Sequence, residues 1–260
     1  MGIVNVTPDS FSDGGLFLDP AKAIDHGREL AAAGADVLDI GGESTRPGAG
    51  EVSAEEELDR VVPVVRGLAG VAPISIDTTK AVVAEAAIEA GAEIVNDVTA
   101  LRADPAMAGL CARHGVDVIL MHMIGTPRTM QDDPRYDDVV TEVRDFLLER
   151  VEFAISAGIP GTKIWIDPGI GFGKTVEHNL ELLRATSEFS STGLPVLVGP
   201  SRKAFIGRID GSKERSRLGG TIAACLEAQR GGASMVRVHD AGAVVQAIRV
   251  ANAIGSSPGL

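Results

Sequence analysis

The chain of 260 residues has only two cysteines, Cys111 and Cys225, and both stand in segments that read as helices. A disulfide framework is therefore not expected, and the usage fits a reducing cytosol, so a cytoplasmic location is expected. Long apolar runs are missing too: none reaches the roughly 18 residues of a membrane span. Met1 is followed by Gly-Ile-Val-Asn-Val and then the polar Thr-Pro-Asp-Ser, without the charged lead or sustained apolar core of a targeting signal. Basic residues are scarce, 24 against 36 acidic, for a formal net charge of −12. That excludes general binding to nucleic acid or an anionic membrane, since both need a basic face. It leaves room for a small anionic substrate, because a few cations converging in one cleft can hold phosphate.

Several catalytic patterns are missing as well. Asp167-Pro168-Gly169-Ile170-Gly171-Phe172-Gly173-Lys174-Thr175 resembles a phosphate loop, but Pro168 stands where the Walker pattern needs its first glycine. Gly41-Gly42-Glu43-Ser44-Thr45-Arg46-Pro47-Gly48 fails the dinucleotide spacing. Both read as flexible loops over the mouth of a fold. His26, His114 and His178 fall in helical stretches and read as surface residues, and His122 has no partner at a zinc-ligand spacing. Ser201 lacks a nucleophile elbow, which argues against covalent acyl chemistry.

What is present is a repeated rhythm of short apolar run, polar or glycine-rich turn and amphipathic stretch. The candidate strands are Gly2–Val6, Val37–Ile40, Ile74–Ile76, Ile94–Val95, Val118–Met121, Ile164–Ile166, Val196–Val198 and Met235–Val238. They are short, β-branched and apolar, as parallel strands covered on both sides are. Candidate helices start near Pro20, Ala54, Ala81, Pro105, Asp138, Val176, Leu218 and Ala241. Pro20 and Pro105 each follow an aspartate, the pattern of a capping side chain before a first-turn proline. Ser53 with Glu56 fits a capping box, while Pro63 predicts a kink or break in the same helix. The phrases Ala33-Gly34-Ala35, Ala90-Gly91-Ala92, Ala157-Gly158-Ile159 and Gly232-Ala233 each read as a glycine stop leading into the next strand. Eight such units without a linker predict a single-domain α/β fold over residues 1–260, a (β/α)8 TIM barrel, with an open doubly wound sheet as the alternative.

Polar residues gather where these strands end. Asn5, Asp39, Asp77, Asn96-Asp97, Met121-His122, Asp167, Gly199 with Ser201-Arg202-Lys203, and Arg237 with His239-Asp240 close the eight strands in turn. In a parallel barrel all these ends face one mouth. One such aspartate alone reads as a turn or cap; eight polar ends predict a pocket. Its acids and amides suit the edge of a flat heterocycle, and Lys203, Arg237, His239 and Arg46 suit a diphosphate.

These residues carry a resemblance. Met1-Gly-Ile-Val-Asn-Val-Thr-Pro-Asp-Ser-Phe-Ser-Asp-Gly-Gly15 and Asp39-Ile-Gly-Gly-Glu-Ser-Thr-Arg-Pro-Gly48 are similar to the first two signatures of the dihydropteroate synthase family. Ile76-Asp77-Thr78, Asn96-Asp97, Asp167-Pro168-Gly169, Ser201-Arg202-Lys203 and Arg237-Val238-His239-Asp240 resemble the remaining signatures in order, so the likeness runs from Met1 to about Ile254. It implies a pterin ring held by Asp77, Asn96, Asp167 and Lys203, with Met121 and Gly199 beside it. Asn5 is then expected to position Mg²⁺, and Arg46, Ser201, Arg237 and His239 to hold the diphosphate. Phe11, Thr45, Arg46, Pro47, Phe172 and Lys203 are expected to shape a p-aminobenzoate site. Asn5, Lys203, Arg237 and His239 form the implied catalytic set.

The implied reaction joins 6-hydroxymethyl-7,8-dihydropterin diphosphate to p-aminobenzoate, by Mg²⁺-assisted departure of diphosphate and attack of the aniline nitrogen. An uncharged aniline needs little deprotonation, which accounts for the absence of an obvious base. The resemblance also implies sulfonamide sensitivity and a homodimer formed through outer helices. Two rivals stand beside it: a pterin-binding methyltransferase barrel serving a corrinoid, which has no use for a cationic rim, and a catalytically silent pterin-binding paralogue. Three departures from the family pattern are visible. The first apolar run begins at Met1, so a barrel floor without a preceding cover is expected; Pro200 precedes Ser201; and Val98-Thr99-Ala100-Leu101 lacks the glycines often found there.

Overall fold

The computed structural model describes residues 1–7, 19–45 and 50–255; Phe11, Arg46 and Pro47 lie outside the described residues. Strands and helices alternate along the chain. β1 (Gly2–Asn5) precedes α1 (Pro20–Ala32), β2 (Leu38–Gly41) precedes α2 (Ala54–Leu68), and β3 (Ile74–Asp77) precedes α3 (Ala81–Ala90). β4 (Ile94–Asp97) is followed by α4 (Met107–His114), and β5 (Asp117–Met121) by α5 (Val139–Ser156). β6 (Ile164–Asp167) leads to α6 (Val176–Arg184) and the short α7 (Thr186–Ser190). β7 (Leu197–Val198) leads to α8 (Ala204–Asp210) and α9 (Leu218–Arg230), and β8 (Met235–Val236) to α10 (Ala241–Gly255).

Hydrogen bonding closes the ring. β1 to β6 pair in sequence order, all parallel, and β7 pairs with β8. Two single bridges join these sheets, Ile166 to Val196 and Gly2 to Val238. The bonds from Ile166 N to Pro195 O and from Ile3 N to Val238 O are both 3.0 Å. An open doubly wound sheet would leave two unpaired edges; here neither exists, and the barrel is the fold.

Most of the local grammar holds. Asp19 caps α1 through Ala21 N at 3.0 Å with Pro20 in the first turn. Gly34 takes φ +99° so that Ala35 N reaches back to Leu30 O at 3.0 Å. The same five-residue reach recurs from Ala92 to Ala87, Ile159 to Ala154 and Ala233 to Ala228, one glycine-ended helix stop used four times.

Other expectations need correction. α4 begins at Met107, because the Asp104 carboxylate accepts from Ala106 N at 2.9 Å and from Ala81 N at 2.9 Å, making a turn rather than a first helical turn at Pro105. Ser53 accepts from Glu56 N at 3.1 Å, but the Glu56 carboxylate pairs with Arg60 instead of completing a capping box. The complete box lies at Thr175 and His178. α2 runs unbroken through Pro63, which is exposed along with Asp59, so water can satisfy the Asp59 carbonyl that the proline leaves without a donor. α7 and α8 were not expected; five and seven residues are too short to show a helical period.

The strands sort their side chains by alternation. Leu38, Ile40, Ile74, Ile76, Val118, Leu120, Ile164, Ile166, Val196 and Val198 pack outward into the layer beneath the helices. Burying each contributes roughly 1.5–3 kcal/mol. Met1, Val37, Ile94, Ile119, Trp165, Leu197 and Met235 form a separate cluster inside the barrel and plug its amino-terminal half. Two residues further along from Val37, Ile94, Trp165 and Met235 the inward positions turn polar, at Asp39, Asn96, Asp167 and Arg237. The two-residue period of a strand thus sets a polar floor directly above an apolar plug.

Candidate active site

Asp39, Asn96, Met121, Asp167, Gly199 and Arg237 stand two residues after the inward-facing residues of that plug, and Asn5 and Asp77 end β1 and β3. Arg237 organises this layer. Its Nε donates to Asp39, which is 0% exposed, and its Nη2 donates to Asp77 Oδ2 at 2.7 Å. Asn96 Nδ2 donates to Asp39 Oδ2 at 3.3 Å. Gly199 keeps the floor low, since a Cβ there would sit 3.8 Å from Arg237 and 4.0 Å from Asp167.

Burial raises Asp77 to about 7 despite Arg237, with Asp39, Glu57 and Asp97 pushing the same way. Asp167 is raised to about 6, again by burial, against the Gly169 amide, Lys203, Arg237 and Lys174. Arg237 is raised by Asp39 and Asp77 despite its own desolvation. A carboxyl whose pKa is higher folded than unfolded adds stability that is complete below the unfolded value of 3.8 and lost as pH rises through the folded value. Asp77→Asn, which resembles the protonated acid, is therefore expected to gain stability relative to the parent as pH climbs through about 7. Urea midpoints of the two proteins measured from about pH 4 to about pH 8, which spans the shift from 3.8 to about 7, test this; a difference that does not change with pH would refute it.

Above the floor opens a cavity of about 550 Å³. Of the expected site residues Asn5, Thr45, Asp77, Phe172, Gly199, Ser201, Lys203, Arg237 and His239 border it. Asn96, Met121 and Asp167 are buried in the barrel wall and do not border it. Arg237, expected on a diphosphate, is engaged with the floor acids, because a buried carboxylate pair needs a counter-charge. Ser201 Oγ lies 2.9 Å from His239 Nδ1 and accepts from His239 N at 3.1 Å. Arg202, at φ +56°, forms a two-pronged pair with Asp240 at 2.9 and 2.6 Å, which fixes the turn that aims Ser201 and Lys203. Lys203 Nζ sits 4.0 Å over the Phe172 ring, a cation–π contact. Arg208 and Arg217 add positive charge to the rim.

The segment 167–175 is not the flexible loop its glycines suggest. Asp167 accepts from Gly169 N at 2.7 Å, Asn179 Oδ1 from Gly171 N at 2.6 Å, Gly171 O from Gln131 at 2.7 Å and Gly173 O from the Tyr136 hydroxyl at 2.8 Å. Lys174 turns into the protein, 2% exposed, so no phosphate cradle exists here. His178, read as a surface residue, is half-buried in the capping box and meets the Tyr136 ring edge-on at 5.0 Å.

Sequence reasoning missed other residues too. Asp97, placed at the mouth, instead accepts from Thr99 N at 2.7 Å and Leu101 N at 3.0 Å. It pins the turn where Ala100 and Leu101 hold φ of 54° and 62° in place of glycines. Glu43 and the wholly buried Glu57 both accept from Lys80, at 2.6 Å for Glu57, beside a second cavity of about 380 Å³ that shares Glu43, Ser44, Thr45 and Asp77 with the first. No local pattern marks the contacts of Lys80 with Glu43 and Glu57 or of Lys174 with His122, since those partners lie 37, 23 and 52 residues away.

Comparison with known proteins agrees with this geometry. A family model described as pterin binding enzyme matches residues 1–239. The dihydropteroate synthase of Synechocystis sp. is 47% identical over 257 residues, 98% of this chain and 89% of that protein. The structure of Xanthomonas albilineans dihydropteroate synthase with 4-aminobenzoic acid superposes with a TM-score of 0.93 at 49% identity, covering 99% of this chain and 93% of that one. The Yersinia pestis dihydropteroate synthase in a sulfonamide drug complex gives 0.94 at 45% identity, covering 99% and 94%. With the closed barrel, the acid floor and the cationic rim in place, these likenesses show that the chain belongs to the pterin binding enzyme family, among the dihydropteroate synthases.

Proposed function

We propose that this single-domain barrel condenses 6-hydroxymethyl-7,8-dihydropterin diphosphate with p-aminobenzoate, releasing 7,8-dihydropteroate and diphosphate. One observation carries the reading: an acceptor-rich floor and a cationic rim share one cavity, and Lys203 over Phe172 links them. Asp77, with Asn96 and Asp167 in the wall beside it, is suited to the N–H-rich edge of a pterin. His239, Ser201 and the free edge of Arg237 face the position of the diphosphate; Arg46, outside the described residues, is assigned to the same group by the family resemblance. Phe172, Thr45 and Lys203, with Phe11 and Pro47, shape the aryl site.

In the reaction the methylene C–O bond breaks first, its electron pair leaving with diphosphate; the aniline nitrogen then forms the new C–N bond to the resulting cation, and the anilinium proton passes to water. The rim cations stabilise negative charge on the leaving group, and the floor carboxylates stabilise positive charge spread over the dihydropterin. Among the described residues no three acidic, histidine or cysteine side chains form a metal cluster. The Asn5 carboxamide borders the cavity without a side-chain hydrogen bond among the described residues. One neutral oxygen donor fits a Mg²⁺ that arrives with diphosphate and keeps its other ligands from phosphate and water. Bound there, Mg²⁺ would neutralise charge on the departing diphosphate.

The reading includes a cytoplasmic homodimer. Exposed Ile209, Leu218, Val250 and Ile254 on α8, α9 and α10 support an outer-helix contact. Sulfonamides are expected to compete with p-aminobenzoate. The test is Mg²⁺-dependent diphosphate release with and without p-aminobenzoate. Asn5→Ala and His239→Ala are each expected to lower kcat/KM by about 100-fold or more. Pterin binding without dihydropteroate would identify a silent paralogue, and no pterin binding at all would defeat the proposal.

A further inference from the structure

Lys174 is buried beside the cavity, yet none of the chemistry above uses it. Burial lowers it to about 7, with Lys203 adding repulsion and Asp167 opposing. A lysine in such a place needs partners, and it has two: Phe172 O at 2.9 Å and His122 Nδ1 at 3.0 Å. In its ammonium form Lys174 can only donate, and His122 then accepts through Nδ1 with its proton on Nε2. Burial, with Lys174 and Arg102 nearby, lowers His122 to about 2, so the ring stays neutral and able to accept. The ring is itself fixed, edge-on to Phe146 at 4.9 Å and tilted against Tyr136 at 6.0 Å.

The chain of contacts runs from the rigid end of β5 through Lys174 to the backbone of Phe172, and from the Phe172 ring to Lys203. We infer that Lys174 is a positioning residue for the aryl-amine site, setting the Phe172 ring under Lys203 by tying the Phe172 carbonyl to His122. Both of its hydrogen bonds end on protein acceptors, so it acts through Phe172, and pterin and diphosphate recognition belong to the floor and rim. The inference rests on the proposed condensation, since it names which substrate the residue serves.

The experiment is steady-state kinetics of the full chain with both substrates varied. Lys174→Met keeps the stem length and removes the donors. It is expected to raise KM for p-aminobenzoate about tenfold while KM for the pterin diphosphate moves less than about twofold, as loss of orientation at one subsite requires. An unchanged p-aminobenzoate KM, or equal rises in both KM values, overturns the inference. Because a buried lysine variant can misfold, a second pair is compared: His122→Gln retains an acceptor for Lys174 and His122→Leu does not. Both lose the same ring contacts, so a lower p-aminobenzoate KM in the glutamine variant supports the tie, and equal values overturn it. If the parent chain itself makes no dihydropteroate, the proposed reaction fails instead, which is a distinct result.

Discussion

Replacing Arg237 with methionine is expected to destabilise the fold by about 3–5 kcal/mol, because it leaves partners of a buried ion pair without their counter-charge. Asp39 and Asp77 both lose their bond to the guanidinium, and Asp39 has no exposure to water. The deficit should depend on pH in a fixed direction. Without Arg237 the opposing influence on Asp77 disappears, so its folded pKa moves further above 3.8 and the ionised form becomes less tolerable. Stability of the variant is then lost more steeply as pH rises, and the gap to the parent narrows as pH falls to about 5. Urea unfolding of both proteins at pH 5 and pH 8 tests this; an equal gap at both pH values would sink it. Activity should fall by about 100- to 1,000-fold, since a charge that stabilises the leaving group is removed as well. Arg237→Lys should rescue poorly, because a point charge on a flexible stem cannot bridge Asp39 and Asp77 as a planar fork does.

Gly169→Ala is expected to be nearly as damaging, for a steric reason. Gly169 has φ +69°, and a Cβ there would lie 2.0 Å from the backbone oxygen of His122. The left-handed backbone alone costs roughly 1–2 kcal/mol for a residue with a Cβ. The clash adds to this, because the oxygen belongs to the end of β5, where His122 N is bonded to Asp167 O at 3.0 Å. A total near 3 kcal/mol or more is expected, together with displacement of Phe172 and a large rise in p-aminobenzoate KM. Gly193→Ala is the control. Its φ is +81° with nothing within 4 Å of the added carbon, so only the backbone cost should remain. Equal losses in the two variants would show that contact with His122 contributes nothing.

The sequence alone determined the number and order of the strands and the identity of the polar residues that end them. Those signals are local. Two-residue alternation, glycine helix stops and the capping aspartate at Asp19 act within a few positions, so they can be read directly. Barrel closure was favoured but not decided, because alternation of strand and helix is common to open and closed sheets; the Gly2–Val238 and Ile166–Val196 bridges decided it. The roles within the site divided along the same line. Asp77, Ser201, Lys203 and His239 border the cavity as their strand-end positions predict. Only the folded chain shows Arg237 held by the floor acids, Asp97 spent on its own turn and Lys174 turned inward to His122. Each of those contacts except the Asp97 turn joins residues more than 50 positions apart. A sequence names the charges that a barrel mouth will collect; which of them neutralise one another there is settled by distances that exist only after the ring has closed.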